Sequence, residues 1–454
     1  MIMPVLKSIN PYNTSREVNY PQLSDVSLTV RLARASTAFQ KYRMSTFEER
    51  GMLLDRLAGI LRDRSREFAM LITNEMGKPV KEAEAEVRKC AWVCEFYADH
   101  GEDFLQPREV DTEAEQCRVM FQPLGPVLAI MPWNFPFWQV FRCAAPALMA
   151  GNTICLKHAS NVQGCAMAIE ELFREAGYGE GVFQNLAISS DRVAGVIANE
   201  YIVAVSLTGS EAAGRAVAAQ AGLHLKKCVL ELGGNNAFVV LNDANQELAL
   251  NIAIPARMQN GGQSCIAAKR FILESWVAVD FVPALMKRIG QLVVGDPMDE
   301  KTDVGPLSSV KQAMEVERQV KRSVEMGAKL LSGGHRNGAF YDPTLVTGVK
   351  AGMPLFDEEV FGPVFAVTWA DSPEIALELS NQSKFGLGMQ MFTQSESAAS
   401  MFIEGAQEGA VFINAMVKSD PRLPFGGLKR SGFGRELSIE GIREFTNIKS
   451  VWID

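Results

Sequence analysis

Five short segments of this chain carry side chains suited to covalent, acid–base or anion-binding chemistry. In Gly262-Gln263-Ser264-Cys265, preceded by Asn260 and followed by Ile266, a cysteine sits among small residues and glycines on a loop that substrate can reach. Its thiolate is the competent nucleophile. Taken alone, a free cysteine reads first as a small buried hydrophobe. In Leu230-Glu231-Leu232-Gly233-Gly234-Asn235-Asn236 a carboxylate ends an apolar strand just before two glycines. Burial raises the pKa of such a carboxylate toward neutrality, as a base that activates water requires. The alternative is a carboxylate that caps the following turn. Pro132-Trp133-Asn134-Phe135-Pro136 holds Asn134 in a rigid turn after an apolar strand. Its amide, with a backbone N–H near the nucleophile, can donate to a developing oxyanion. A proline turn with an aromatic filler would equally need no function.

The fourth segment, Leu207-Thr208-Gly209-Ser210-Glu211-Ala212-Ala213-Gly214, runs from a strand through glycine into a helix, whose free N–H groups and dipole favour a phosphate. Serine at such a turn is also an ordinary helix cap. Lys157, at the end of the strand Thr153 to Leu156, is placed for its ammonium to meet a cofactor ribose or phosphate. The fifth is Glu358-Glu359-Val360-Phe361-Gly362-Pro363, matched later by Pro424-Phe425-Gly426-Gly427-Leu428-Lys429-Arg430-Ser431-Gly432. Each of these elements alone reads as a turn.

The elements that must position these segments follow an α/β rhythm. Helices fill the first hundred residues, with a capping box over Ser45-Thr46-Phe47-Glu48, and Gly77 then Pro79 separating two helices. The helix Lys81 to Phe104 carries apolar positions at Val87, Ala91, Val93, Cys94 and Tyr97, which predicts a face against a core. Alternation over Arg108 to Gln122 predicts a ribbon of strands. From Gly125, apolar runs at Val127 to Met131, Thr153 to Leu156, Val203 to Leu207, Val229 to Leu232 and Ala237 to Leu241 alternate with helical stretches, predicting a largely parallel sheet. A second series, Arg270 to Leu273, Val364 to Thr368, Met389 to Phe392 and Ala410 to Asn414, predicts a second α/β domain beginning near Gly233.

Composition narrows the partners. A chain of 454 residues with 47% apolar side chains buries a sizeable core and favours two or three domains. Its net charge of −8, without a basic run, argues against nucleic acid and anionic membranes. No uncharged apolar run approaches the ~18 to 20 residues of a membrane span, and residues 1–17 do not read as a secretion signal. A cytosolic location is expected. The eight cysteines are scattered rather than arranged as a disulfide framework. The four histidines do not pair at ligand spacing and Cys90 with Cys94 lacks a second pair, so no metal site is expected.

Together and in this order, the five segments resemble the aldehyde dehydrogenase superfamily, from the N-terminal helices to the final strand at Val451 to Asp454. The resemblance implies Cys265 as nucleophile, Glu231 as general base and Asn134 as oxyanion donor. It also implies Trp133, Asn134, Lys157, Ser160, Gly209, Ser210, Leu232, Glu359 and Phe361 on NAD or NADP, with Glu359 at the nicotinamide ribose and Phe361 beside the ring. The implied architecture is a Rossmann-like dinucleotide-binding domain (1–104 and 125–232), an α/β catalytic domain (233–427), and a small β-ribbon for oligomerisation (105–124 and 428–454). An exposed ribbon leaves unpaired edges, so a homodimer or homotetramer is expected.

NAD-selective relatives often carry glutamate where Ser160 stands; a neutral serine near Lys157 leaves room for the 2′-phosphate of NADP. Leu156-Lys157-His158-Ala159-Ser160-Asn161 and the compact length most resemble short bacterial succinate-semialdehyde dehydrogenases. In that likeness Arg142 grips the substrate carboxylate and Ser419 adds a second contact, whereas Gln259 stands where many such enzymes carry another arginine. A structural ion pair is the competing role for Arg142. Two other classes are weaker: a cysteine hydrolase, which lacks a histidine partner in a recognisable setting, and a catalytically inactive binding protein with this fold.

Overall fold

A computed structural model describes residues 5–454. Its first sheet has six strands in the order Gly432–Phe433, Lys227–Glu231, Ala204–Thr208, Pro126–Met131, Thr153–His158 and Phe183–Asn185. All neighbours are parallel except the short first strand. Strand Pro126–Met131 is flanked on one side by the next strand in sequence and on the other by Ala204–Thr208, so the chain order reverses beside it. Open α/β sheets bind ligands at such a reversal, beyond the carboxyl ends of the strands. The central strands are apolar runs buried along their whole length, because helices cover both faces.

The second sheet has seven strands in the order Lys329–Ser332, Thr344–Thr347, Val364–Ala370, Ala268–Glu274, Asn236–Val240, Met389–Phe392 and Val411–Ile413. Only its outermost strand, Lys329–Ser332, runs antiparallel to its neighbour. The run expected at Ala237 to Leu241 belongs to this sheet as Asn236–Val240, not to the first series. Thr344–Thr347 and Lys329–Ser332 went unforeseen; each has four residues, too few for a clear periodicity.

Three further observations adjust the sequence-based expectations. The capping box lies one residue later, with Thr46 accepting from Glu49 N–H and Glu49 accepting from Thr46 N–H, ahead of the helix Phe47–Asp63. The ribbon pairs Gln116–Pro123 with Thr446–Ile453 over eight residues and with Arg108–Glu109. The rest of 428–454 lies elsewhere: Gly432–Phe433 extends the first sheet, and the helix Ser438–Glu444 packs on the helices Val80–Leu105 and Trp138–Met149. Two residues of strand cannot show an alternation, which is why this division escaped the sequence. None of the described helices is long and apolar enough to cross a membrane.

The helix Val80–Leu105 begins after Gly77, whose φ of 82° closes the preceding helix Ser65–Met76 through a bond to Thr73 O. The five apolar positions singled out on it are all fully buried. Glu82, Ala85, Glu86 and Lys89, at i, i+3, i+4 and i+7, form a second stripe that faces a cavity.

Candidate active site

Glu231 is the last residue of its strand in the first sheet, while Cys265 stands just before the strand Ala268–Glu274 of the second. The carboxyl edge of one sheet therefore meets the amino edge of the other at the expected chemistry. Cys265, half-buried, lines a cavity of about 420 Å3 together with Ser264, Phe135, Trp138, Arg142 and Ser419.

Asn134 is buried beside the cysteine loop: its Nδ2 donates to Gln263 O at 3.1 Å, and its own carbonyl accepts from Asn260 Nδ2 at 2.6 Å. The second proton of that amide is free for an oxyanion. The turn is fixed from below by Glu86, which accepts from Phe137 N–H and Trp138 N–H and pairs with buried Lys78. It is fixed from the side by His158, which bridges to Pro136 O at 2.9 Å and accepts from Ala159 N–H. Burial holds the His158 pKa at about 4, so the ring is neutral, and the pattern is met by the tautomer protonated on Nε2.

Glu231 is 2% exposed, and neither carboxylate oxygen has a hydrogen-bond partner among the described residues. Burial drives its pKa well above the usual carboxylate value; the Arg142 charge opposes that shift and Glu436 reinforces it. Burial likewise raises the Cys265 thiol, while Arg142 and Lys269 favour its thiolate. Lys269, fully buried, donates to Ser264 O and Cys265 O at 2.8 Å each and pairs with Glu359 at 3.1 Å. Glu359 also accepts from Gly234 N–H at 3.0 Å, an approach that a Cβ at Gly233 would block. The Glu231 strand end, the Cys265 loop and the Glu359 loop thus form one connected cluster. Phe361 meets Trp133 edge-on at 5.9 Å between ring centroids.

Trp133, Lys157, Gly209 and Ser210 lie at or just beyond the carboxyl ends of the three adjacent strands, where Ile130 is in register with both Lys157 and Leu207. Lys157 is 7% exposed and has no hydrogen-bond or ion-pair partner among the described residues, while burial lowers its pKa. A buried ammonium left without an anion fits a group that brings one. Ser160 is exposed at the start of a short helical turn. Ser210 caps the helix Glu211–Leu223, and Leu232 is buried with its N–H on Ser431 O.

Arg142, expected at the substrate carboxylate, lines the cavity beside Ser419 and also meets a carboxylate of the chain itself. Its guanidinium is 1% exposed, pairs with Glu436, donates to Thr208 Oγ1 at 3.3 Å and stacks on Phe425. Its charge is compensated before substrate arrives. Ser419 does face the cavity, where it accepts from Lys89 Nζ at 2.8 Å. Lys89, Lys269, Glu86 and Glu436 were not singled out by sequence reasoning; each is an ordinary charge on a regular element or turn, and partners from distant segments give it its place at the site.

The sequence profile described as the aldehyde dehydrogenase family matches residues 4–451. The chain belongs to that family. A relative from Synechocystis sp., named "Probable succinate-semialdehyde dehydrogenase" of the NADP(+) type, is 48% identical over 451 residues, 99% of each chain. The Escherichia coli protein named succinate semialdehyde dehydrogenase, NAD(P)+, Sad, is 45% identical and covers 98% of this chain and 97% of its own. A crystal structure of succinic semialdehyde dehydrogenase from Streptococcus pyogenes in complex with NADP+ superposes with a TM-score of 0.96 at 38% identity, covering 99% of both chains. As an aldehyde dehydrogenase, this protein joins a dinucleotide-type sheet to a second α/β sheet, and its cysteine loop lies at their junction.

Proposed function

We propose that this protein oxidises succinate semialdehyde to succinate with NAD(P)+, through a thioester on Cys265. The observation that carries the chemistry is the grouping around the cysteine loop: Cys265 on the cavity wall, Asn134 bonded to that loop, and Glu231 buried with both oxygens unpartnered and near enough for its charge to act on the thiol. The named activities of the Synechocystis and E. coli relatives support the substrate.

The Cys265 thiolate adds to the aldehyde carbon, and the oxyanion so formed accepts from Asn134 Nδ2 and the Cys265 N–H. The cofactor, when bound, accepts the hydride that leaves this carbon. Glu231 then takes a proton from the water that attacks the thioester; the carboxylate product departs and the thiolate is restored. A carboxylate whose pKa is raised by burial is a stronger base once ionised. Lys269 holds the Ser264 and Cys265 carbonyls so that the loop N–H faces the substrate.

For the cofactor, Trp133, Lys157, Ser160, Gly209, Ser210, Leu232, Glu359 and Phe361 form the binding surface, with NADP accepted because Lys157 is unpaired and Ser160 is uncharged. The named cofactors of the relatives support this choice. Residues 1–104 with 125–232 serve the cofactor, 233–427 serve catalysis, and the ribbon associates subunits into a dimer or tetramer in the cytoplasm. Initial rates with succinate semialdehyde, NADP and NAD test this reading. Reduction of NADP with an equal yield of succinate, abolished in Cys265→Ser, is expected; no activity on this aldehyde with either cofactor overturns it.

A further inference from the structure

Four cationic side chains line the cavity that exposes Cys265: Lys81, Lys89, Arg142 and Lys418. Three already face carboxylates. Lys81 pairs with Asp303 at 2.8 Å, Arg142 with Glu436, and Lys418 with Asp420 at 3.4 Å. Lys89 has no carboxylate within ion-pair distance among the described residues. Its Nζ donates to Ser419 Oγ at 2.8 Å and rests over the Trp138 ring, 4.1 Å from the centroid.

An ammonium has three donors, of which one is used on Ser419. Ser419 Oγ accepts that bond, which leaves its own proton free. Together the two groups offer converging N–H and O–H donors and one uncompensated positive charge, a combination that suits a carboxylate. The cavity wall that also carries Cys265 includes the aromatic side chains of Phe135, Trp138 and Phe425, which suit the short methylene chain of a semialdehyde acid, and its carboxylates Glu86 and Asp303 are already paired with Lys78 and Lys81. Gln259, on the same wall, contributes no charge.

We propose that Lys89, paired with Ser419, binds the distal carboxylate of the aldehyde substrate and sets the preference for acidic over neutral aldehydes. Arg142 acts behind it, as a buried anchor for Glu436. The inference rests on the succinate-semialdehyde reading of the same site. Local electrostatics agree: burial, then the nearby Arg142 charge, hold the Lys89 pKa at about 8, against the opposing pull of Cys90, Asp420 and Glu86. The group is therefore charged at neutral pH but incompletely compensated, and an arriving carboxylate relieves that state.

The test compares kcat/KM for succinate semialdehyde and for butanal, a neutral aldehyde of the same chain length, in the wild type, Lys89→Met and Lys89→Arg. The wild type is expected to prefer the acid. Lys89→Met should lose about ten- to a hundredfold more on the acid than on butanal, through KM, as removal of a charge-assisted hydrogen bond does. Lys89→Arg should retain most of the preference. The wild-type preference should also fall as pH rises through about 8, and Lys89→Met should lack that step. Equal losses on both substrates, or a preference that survives in Lys89→Met, overturn the assignment of Lys89 and leave the substrate reading intact. An active wild type without preference for the acid overturns the substrate reading, and this assignment with it.

Discussion

Glu231 illustrates how a single side chain is set up at the cost of folding free energy. A buried carboxylate without a hydrogen bond is expensive, and such expense persists where function requires it. In Glu231→Gln the amide keeps the shape but cannot take a proton from water. Cys265 should still be acylated, so mixing enzyme, aldehyde and cofactor should give a burst of reduced cofactor near one equivalent per site. The steady rate that follows should fall about 10²- to 10⁴-fold, the usual contribution of a general base. Stopped-flow absorbance and the mass of the acylated protein check this; loss of the burst itself would instead place Glu231 in thiol activation. At this scale residue type and immediate neighbours brought Cys265, Glu231 and Asn134 forward as candidates, each beside a structural alternative, and the resemblance to the family proposed their roles. Glu359 and Phe361 were reachable only through resemblance to the family, because their partners Gly234, Lys269 and Trp133 come from remote segments. The same remoteness hid Lys89, which meets Ser419 only after the helix Val80–Leu105 and the loop before Pro421 have been folded together.

At the scale of elements, the glycines after Pro424 acquire a reason that the sequence could not supply. A Cβ on Gly426 would stand 2.7 Å from Glu231 Oε1 and 2.8 Å from Gly434 O. The loop thus forms a wall of the Glu231 pocket, and it stays there because Phe425 and Glu436 exchange backbone hydrogen bonds. Gly426→Ala should displace the Glu231 carboxylate and slow hydrolysis of the thioester. We expect kcat to fall at least about tenfold with the burst retained, and stability to drop by about 1–3 kcal/mol, as for other overpacked sites. Burst kinetics and denaturant melts read the two effects separately; an unchanged kcat would show that the loop does not fix Glu231. Strong periodicity made the central strands and the helix Val80–Leu105 legible in advance. The two-residue strand Gly432–Phe433 and the four-residue strands Lys329–Ser332 and Thr344–Thr347 carry too few residues for a clear pattern, and their pairing partners define them.

For the whole molecule, the ribbon is the feature that one chain leaves incomplete. Thr446–Ile453 pairs along one side with Gln116–Pro123, and its other edge is unpaired among the described residues. Ile448 and Trp452, four residues apart and therefore on one face, are 64% and 49% exposed. Folded proteins seldom leave so long an edge strand with large apolar side chains open to water, because it invites pairing with another chain. The net charge of −8 limits nonspecific association elsewhere on the surface, so a specific contact should concentrate here. Light scattering should accordingly give the wild type a mass at least twice that of one chain. The double variant Ile448→Lys, Trp452→Lys should shift the mass toward that of a single chain at micromolar concentration, with far-ultraviolet circular dichroism unchanged, since the ribbon lies outside both large sheets. A wild type that sediments as a monomer, or a double variant that keeps the full mass, would show that this edge does not join subunits. The exposed apolar face would then require another partner.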